Sequence, residues 1–176
     1  MRPGDRLQRL YQMRSLRILE TTKKPSATLR YCIPAGGFLC AHVVKDAPPL
    51  LEAKAVNDRI TVEAGDFFTS VPSGGDAYIL SHIIHDWDED RCLTILGHVR
   101  KAMDPTGRLL IVEMVLPPGD IAHPGKMLDI VMLVQLGGRE RTASEYASLL
   151  SRAGFRLTQV VPTKSAASIV EAVRSE

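Results

Sequence analysis

The chain of 176 residues has the length of one domain, and its 45% hydrophobic and 24% charged residues exclude wholesale disorder. The formal net charge of +2 hides an uneven distribution. Residues 1–40 contain eight Lys and Arg against two acidic residues, whereas the remaining 136 residues contain 14 basic and 18 acidic residues. This change in charge divides the chain near residue 40 into two pieces of different composition.

The cysteines and the apolar runs exclude several classes of protein. Cys32, Cys40 and Cys92 are unclustered, so they provide neither a disulfide framework nor a zinc site. The apolar run 127–136 is interrupted by Asp129 and is too short to span a bilayer. The basic N-terminus is not followed by the apolar stretch of a secretory signal. We therefore expect a cytoplasmic protein without a membrane partner.

Residues 1–40 are interpreted as a basic leader with little fixed structure. Their apolar periodicity is weak, and the segment TTKKPS (residues 21–26) breaks any helix that begins before it. A basic arm that binds nucleic acid or a membrane surface is the alternative. The leader lacks the interleaved aromatic residues that bind single-stranded nucleic acids, so we expect no nucleic-acid partner.

Strands and helices alternate from residue 37 onward. Apolar runs and helical periodicities, bounded by capping and turn residues, place them in order. They predict strands at 37–44, 59–68, 76–87, 107–118, 155–161 and 168–173, and helices at 46–56, from Asp88 to Met103, at 125–136, and from Thr142 to Gly154. Helix 125–136 is apolar nearly all round, which predicts that it is buried. The alternation, followed by a terminal strand pair, predicts an α/β doubly wound sheet with an antiparallel edge.

Polar residues occupy the ends of three predicted strands. They are Asp66, the pair His85–Asp86, and Glu113. Ligands bind beyond the carboxyl ends of the strands in such sheets, so we expect these side chains on one rim. His85 is the candidate general base because an imidazole titrates near neutral pH, and Glu113 and Glu140 are placed to bond its second nitrogen. A strand-end histidine can instead be a surface or capping residue.

Asp66 and the aromatic residues near this rim have two interpretations each. Asp66 follows Gly65 at a strand end, where its carboxylate either accepts hydrogen bonds from an adenine amine or ribose hydroxyls, or forms only a turn. Phe67 and Phe68 are stacking walls of a cofactor pocket or core residues, and one of them is expected in the core. Trp87 forms the floor of that pocket or closes the end of the sheet.

Two metal-site interpretations fail. His82 and His85 are three positions apart on a predicted strand and would face opposite sides of the sheet. The acidic run DWDED (residues 86–90) resembles the opening of a calcium loop. Arg91 and Gly97 stand where that loop needs glycine and glutamate. We therefore expect no metal ion.

Six blocks follow one another between His42 and the C-terminus: HVVKDAPPLLEA, RITVEAGDFF, LSHIIHDWDED, LLIVEMVLPP, MLDIVMLVQLGGRERTASEYASLLSRAGF and VVPTKSAASIVEA. As an ordered set they resemble the S-adenosylmethionine-dependent small-molecule O-methyltransferases, which include caffeate, hydroxyindole and bacterial polyketide enzymes. The resemblance implies a Rossmann-like class I methyltransferase fold. It also implies methyl transfer from S-adenosylmethionine to a hydroxyl of a small aromatic or polyketide-like acceptor.

The resemblance also implies roles for residues on the acceptor side. His85 is then the general base, supported by Glu113 and Glu140. Met127 and Met132 would line the acceptor pocket, where flexible thioethers suit an aromatic ring.

On the cofactor side, the resemblance assigns Asp66 to adenosine binding and places Asp86 beside the sulfonium end. Many members have a lysine that contacts the cofactor four positions before the histidine, where this chain has Ser81. The implied cofactor-binding residues are Asp66, Phe67, Ser81, Asp86 and Trp87.

Residues 1–40 do not match the family. Its N-terminal dimerisation domain, first strand, glycine-rich cofactor loop and ribose-binding acid have no counterpart there, and Gly36–Gly37 leads directly into a predicted strand. We therefore expect a truncated catalytic domain at 41–176, a sheet without its usual first strand, and no ordinary homodimer. Two functions remain open: an active O-methyltransferase, and an inactive fragment or non-catalytic partner of an intact relative.

Overall fold

The computed structural model describes residues 65–176, the strand Arg30–Tyr31 and positions 49, 52 and 53. The predicted strand 37–44 and the first part of the predicted strand 59–68 lie outside the described residues. The same holds for most of the predicted helix 46–56, although positions 49, 52 and 53 are helical. The predicted boundary at residue 40 also lies outside the described part of the chain.

Helices and strands alternate along the described residues. In chain order they are β1 (Arg30–Tyr31), β2 (Gly75–Ser81), a 3-10 turn (Ile84–Asp86), α1 (Glu89–Ala102), β3 (Met103–Glu113), β4 (Val115–Leu116), α2 (Pro124–Gln135), β5 (Arg141–Thr142), α3 (Ala143–Arg152), β6 (Phe155–Pro162) and β7 (Ser168–Arg174).

One mixed sheet organises the fold, with the strand order β1-β2-β3-β7-β6. β1, β2 and β3 are parallel, whereas β7 is antiparallel to both β3 and β6. The short connection between β6 and β7 permits only an antiparallel pair, because a parallel pair needs a long crossover. The predicted α/β sheet with an antiparallel C-terminal edge is confirmed. β1 comes from the segment interpreted as a leader and pairs with β2 through Arg30 and Tyr31.

Local capping signals fix the two helices that pack on this sheet. The Asp88 carboxylate accepts a hydrogen bond from the Arg91 backbone N–H and begins α1. Thr142 and Glu145 form the predicted capping box at the start of α3, and Gly154 follows its end with a φ of +77°. The core lies between the helices and the sheet and includes Leu80, Cys92, Ile95, Leu96, Leu109, Ile111, Tyr146, Leu150, Phe155 and Val170.

Two predicted strands are shorter than expected. β2 ends at Ser81 rather than at Trp87, because the backbone turns towards the Glu113 carboxylate beyond that point. The predicted strand 107–118 is divided: β3 ends at Glu113, and β4 leaves the main sheet to pair with β5. The candidate base therefore lies on a turn rather than on a strand.

Helix α2 was predicted to be buried, and this prediction was wrong. Within the described part of the chain, Met127, Ile130, Leu133 and Val134 are between 57% and 78% exposed. A helix that is apolar all round does not specify which face the fold covers, and here the covered face carries Met132. Among the described residues, no helix is both long enough and apolar enough to cross a membrane.

Candidate active site

The turn that carries His85 is folded around one carboxylate oxygen. Glu113 Oε1, at the end of β3, accepts hydrogen bonds from the backbone N–H groups of Ile83 (3.0 Å), Ile84 (2.6 Å) and His85 (3.3 Å). The turn begins at His82, whose φ of +54° is unusual for a residue with a side chain. Three converging donors on one buried anion outweigh the strain of a single such residue.

The two nitrogens of the His85 ring have different surroundings. Nδ1 lies 2.7 Å from Glu140 Oε1, in a site where both side chains are buried. Nε2 lies 3.4 Å from Asp86 Oδ1 and makes no hydrogen bond with any described residue. A carboxylate at Nδ1 holds a proton there, so in the neutral ring the lone pair is on Nε2. The ring is thereby oriented to accept a proton at one defined atom.

Glu113 does not bond the imidazole, contrary to the expectation that it would flank the ring. Its Oε1 holds the backbone of the turn, and its Oε2 accepts a hydrogen bond of 2.5 Å from the Tyr146 hydroxyl. Glu113 is fully buried, as is Tyr146. Tyr146 was not among the predicted site residues, because nothing in the sequence indicates that its hydroxyl contacts Glu113.

The segment before α3, which carries Glu140 and Arg141, contacts the same turn from the other side. The Glu140 backbone N–H donates to Asp129 Oδ1 of α2 at 2.8 Å, which fixes the residue that bonds the His85 ring. Arg141 is 1% exposed and donates to the Ile84 carbonyl at 3.1 Å. Sequence reasoning missed both roles. The one signal available was Asp129 itself, a lone charge inside an apolar helix.

The acidic surroundings change the pKa of both residues of the His85–Asp86 pair. Burial lowers the pKa of His85, but the Glu140 hydrogen bond and the charges of Glu113, Asp86 and Glu140 outweigh it and raise the value to about 9. Burial raises the pKa of Asp86 to about 6, against the opposing effect of the His85 charge. His85 is therefore protonated in the free chain at neutral pH.

Stability should depend on pH through His85. Its pKa rises from 6.5 in the unfolded chain to about 9 in the folded chain, so its stabilising contribution is complete below pH 6.5 and is lost as pH rises through 9. We expect the free energy of unfolding to fall by up to about 3 kcal/mol across this window in urea titrations. Asp86 changes its charge mainly below this pH window, because its pKa is about 6. Cys92 changes its charge mainly above the window, because burial raises its pKa to about 11. His85→Gln should abolish this slope, and a stability that rises from pH 7 to 9 would contradict the assignment.

Gly138 packs against the backbone of the turn. A Cβ at this position would lie 2.0 Å from the His85 carbonyl oxygen and 2.8 Å from the Trp87 backbone nitrogen. Since both neighbours are backbone atoms, Gly138→Ala should reduce stability by about 1–3 kcal/mol. The matched change Gly97→Ala, where a Cβ would meet no described atom within 4 Å apart from the neighbouring helix backbone, should stabilise α1 by up to about 1 kcal/mol. Urea unfolding measures both, and a Gly138→Ala chain that is as stable as the unaltered chain would refute the close packing at Gly138.

The Asp66 turn lies against the His85 turn through aromatic contacts. Asp66 is exposed, and its carboxylate accepts hydrogen bonds from the Phe68 backbone N–H (2.9 Å) and the Thr69 hydroxyl (3.0 Å). The Phe68 and Trp87 rings meet edge to face at 4.9 Å. Phe67 is 3% exposed and belongs to the core, so Phe68 and Trp87 provide the accessible aromatic surface.

The remaining predicted site residues lie on β2 and α2. Ser81 is half-buried and is the last residue of β2. Met132 is buried on the covered face of α2, whereas Met127 is 69% exposed on the same helix. The guanidinium of Arg91 lies 5.2 Å from the centre of the Trp87 ring and covers part of the aromatic surface.

A metal site is geometrically conceivable at this turn but chemically disfavoured. His85, Glu113 and Glu140 offer ligand atoms within 4.8 Å of one another. The oxygens of Glu113 already accept four hydrogen bonds, and Glu140 holds Nδ1 of the ring. The expectation that His82 and His85 face opposite sides of a strand was wrong, because His82 does not lie on a strand and its ring centre is 5.5 Å from that of His85.

The fold is shared with solved methyltransferase structures. The crystal structure of LaPhzM superposes with a TM-score of 0.73 at 49% identity, covering 77% of this chain and 41% of that one. An O-methyltransferase from neocarzinostatin biosynthesis, solved with S-adenosylmethionine and 2-hydroxy-5-methyl naphthoic acid, gives 0.66 at 30% identity over 74% of this chain and 38% of that chain. The described architecture is that of a class I methyltransferase.

Residues 33–156 match the family model of the O-methyltransferase domain, and the chain belongs to this family. It is 49% identical to phenazine O-methyltransferase PhzM of Lysobacter antibioticus over 84% of this chain and 44% of the relative. It is 42% identical to 3-amino-4-hydroxybenzoate 4-O-methyltransferase of Streptomyces cremeus over 81% of this chain and 37% of the relative. The chain thus spans less than half the length of these curated relatives.

Proposed function

We propose that the chain transfers a methyl group from S-adenosylmethionine to a hydroxyl of a small aromatic or polyketide-like acceptor, with His85 as the general base. The observation that carries this proposal is the asymmetry of the His85 ring, with Nδ1 held by Glu140 and Nε2 without a hydrogen bond among the described residues. Relatives named for phenazine and for 3-amino-4-hydroxybenzoate support an aromatic acceptor. The assembled network around His85 counts against an inactive fragment.

The described residues fit the cofactor. S-adenosylmethionine, when bound, supplies an electrophilic methyl group on a positively charged sulfur. Asp66 and Asp86 provide two carboxylates for a ligand with a positive charge, an amine and hydroxyls, and the Phe68 and Trp87 rings provide an apolar surface between their turns. Phe67 supports this surface from the core. No metal ion is needed to hold these groups.

His85 must lose its own proton before it can act. With a pKa of about 9, the ring of the free chain holds a proton at Nε2 at neutral pH, and only the neutral ring accepts a proton from the acceptor hydroxyl. Asp86 Oδ1 is 3.4 Å from Nε2, and the Asp86 side chain is 23% exposed. Asp86 therefore offers a route by which a proton passes from Nε2 to solvent.

Calorimetric titration of S-adenosylhomocysteine into the purified chain tests the cofactor half of this proposal. We expect micromolar binding that Asp66→Asn weakens and that the control Asp120→Asn, at an exposed loop acid, leaves unchanged. Transfer of a labelled methyl group to a panel of hydroxylated phenazines and benzoates tests the other half. A folded chain that neither binds S-adenosylhomocysteine nor methylates any member of the panel would overturn the proposal.

A further inference from the structure

Arg141 places a buried guanidinium behind the turn that carries His85. One terminal nitrogen donates to the carbonyls of Ile84 (3.1 Å) and Arg139 (3.2 Å), and the other lies 3.6 Å from the Cys92 sulfur. The Ile84 carbonyl also accepts a hydrogen bond from the Cys92 thiol at 3.2 Å. Burying a cation is costly unless its partners are fixed, so this arrangement needs a reason.

We propose that Arg141 is a positioning residue that fixes the turn carrying His85. Glu113 holds the N–H side of the turn, and Arg141 holds its carbonyl side at Ile84. The peptide group that follows Ile84 leads directly to His85, so the two contacts set the direction from which the ring leaves the backbone. The adjacent residue Glu140 then holds the ring itself.

An arginine suits this position better than a lysine. Its planar guanidinium directs several N–H groups at fixed angles, and these reach two carbonyls and one sulfur from a single side chain. A lysine would keep the charge but would concentrate it on one small ammonium group. The positive charge also offsets the buried carboxylates of Glu113 and Glu140. Replacement by lysine therefore separates the geometry of Arg141 from its charge.

The pKa of His85 reports this geometry, because it is raised by the hydrogen bond that the ring donates to Glu140. The titratable and charged groups around this turn come from every element packed against it. His82 and Asp86 flank the ring on its own turn, and Glu140 of the loop bonds the ring. Cys92 of α1 and Arg141 of β5 contact the Ile84 carbonyl, and Glu113 of β3 holds the turn backbone and the Tyr146 hydroxyl of α3.

An NMR pH titration of the His85 ring in the full chain tests the proposal. In Arg141→Lys we expect the His85 pKa to fall by about one unit or more, because the turn shifts and lengthens the contact with Glu140. The same chemical change at an exposed site, Arg152→Lys, should leave the pKa unchanged. A folded Arg141→Lys chain with an unchanged His85 pKa would show that only the charge matters and would overturn the proposal.

If Arg141→Lys fails to fold, the unaltered chain still provides the test. The guanidinium N–H resonances of Arg141 should be protected from exchange and should shift with the same pH midpoint as the His85 ring. Resonances that exchange freely, or that ignore this midpoint, would overturn the proposal. The inference rests on the proposed function of His85, but neither readout needs turnover. If Arg141 and His85 titrate together in a chain that transfers no methyl group, the proposed function is refuted and the role of Arg141 stands.

Discussion

Replacing His85 with glutamine will lower kcat/KM for methyl transfer by about 10²–10⁴, because an amide cannot accept the proton that the acceptor hydroxyl loses. Glutamine is close in length to histidine and can still donate a hydrogen bond to Glu140, which lies 2.7 Å from Nδ1 in the unaltered chain. The affinity for S-adenosylhomocysteine should therefore change little. Steady-state kinetics and calorimetry on the same preparations separate the two quantities.

A histidine outside the site provides the control for this change. His123 accepts the Gly125 backbone N–H at the start of α2, and His123→Asn keeps an acceptor suited to that position. Its kcat/KM should stay within a few-fold of the unaltered chain. If His85→Gln retains the full rate, His85 is not the base.

The pH dependence of the rate provides a second check on the same residue. The free chain has a His85 pKa of about 9, so kcat/KM of the unaltered chain should rise with pH and level off above that value. His85→Gln should lack this rise, because no group with that pKa then takes the proton. A flat profile for the unaltered chain between pH 6 and 10 would mean that His85 is not titrated in the rate-determining step.

The parts of the fold that the sequence predicts best are those set by local physics. The Asp88 cap and the Thr142–Glu145 capping box are made by residues three positions apart, so the pattern and the contact are nearly the same thing. The end of β2 is different. Nothing near Ser81 indicates a stop, since the strand ends through hydrogen bonds to Glu113, which is about thirty positions away.

The candidate site shows the same difference between contacts that are local in sequence and contacts that are distant. The expectation that Glu140 bonds the His85 ring agrees with the 2.7 Å distance between them, but the sequence does not assign atoms to partners. Glu113 was expected on the ring and instead holds backbone, because the chain turns before the histidine. Arg141 was missed altogether, since a charged residue in a loop is ordinarily solvated and its burial depends on α1 and the turn folding around it.

Glu113→Ala will strongly destabilise the described part of the chain. It leaves three backbone N–H groups and the Tyr146 hydroxyl without their acceptor in the buried interior, and each such loss costs about 1–3 kcal/mol before relaxation. Because part of the turn can relax towards water, we expect a net loss of about 3–5 kcal/mol, a large fraction of the stability of a typical domain. Urea unfolding at pH 7 measures it.

Tyr146→Phe measures one part of that loss, and Glu171→Gln is the control at a carboxylate outside the turn. Tyr146→Phe removes one donor and leaves Glu113 Oε2 short of one hydrogen bond, so it should cost about 1–2 kcal/mol. Glu171→Gln alters a carboxylate on β7 that pairs with the exposed side chain of Arg108, and it should cost less than about 1 kcal/mol. If Glu113→Ala is no more harmful than Glu171→Gln, the turn holds its shape without the carboxylate. Hydrogen bonding to Glu113 would then not be the cause of the end of β2 at Ser81, and some other contact would have to bring His85 to the rim.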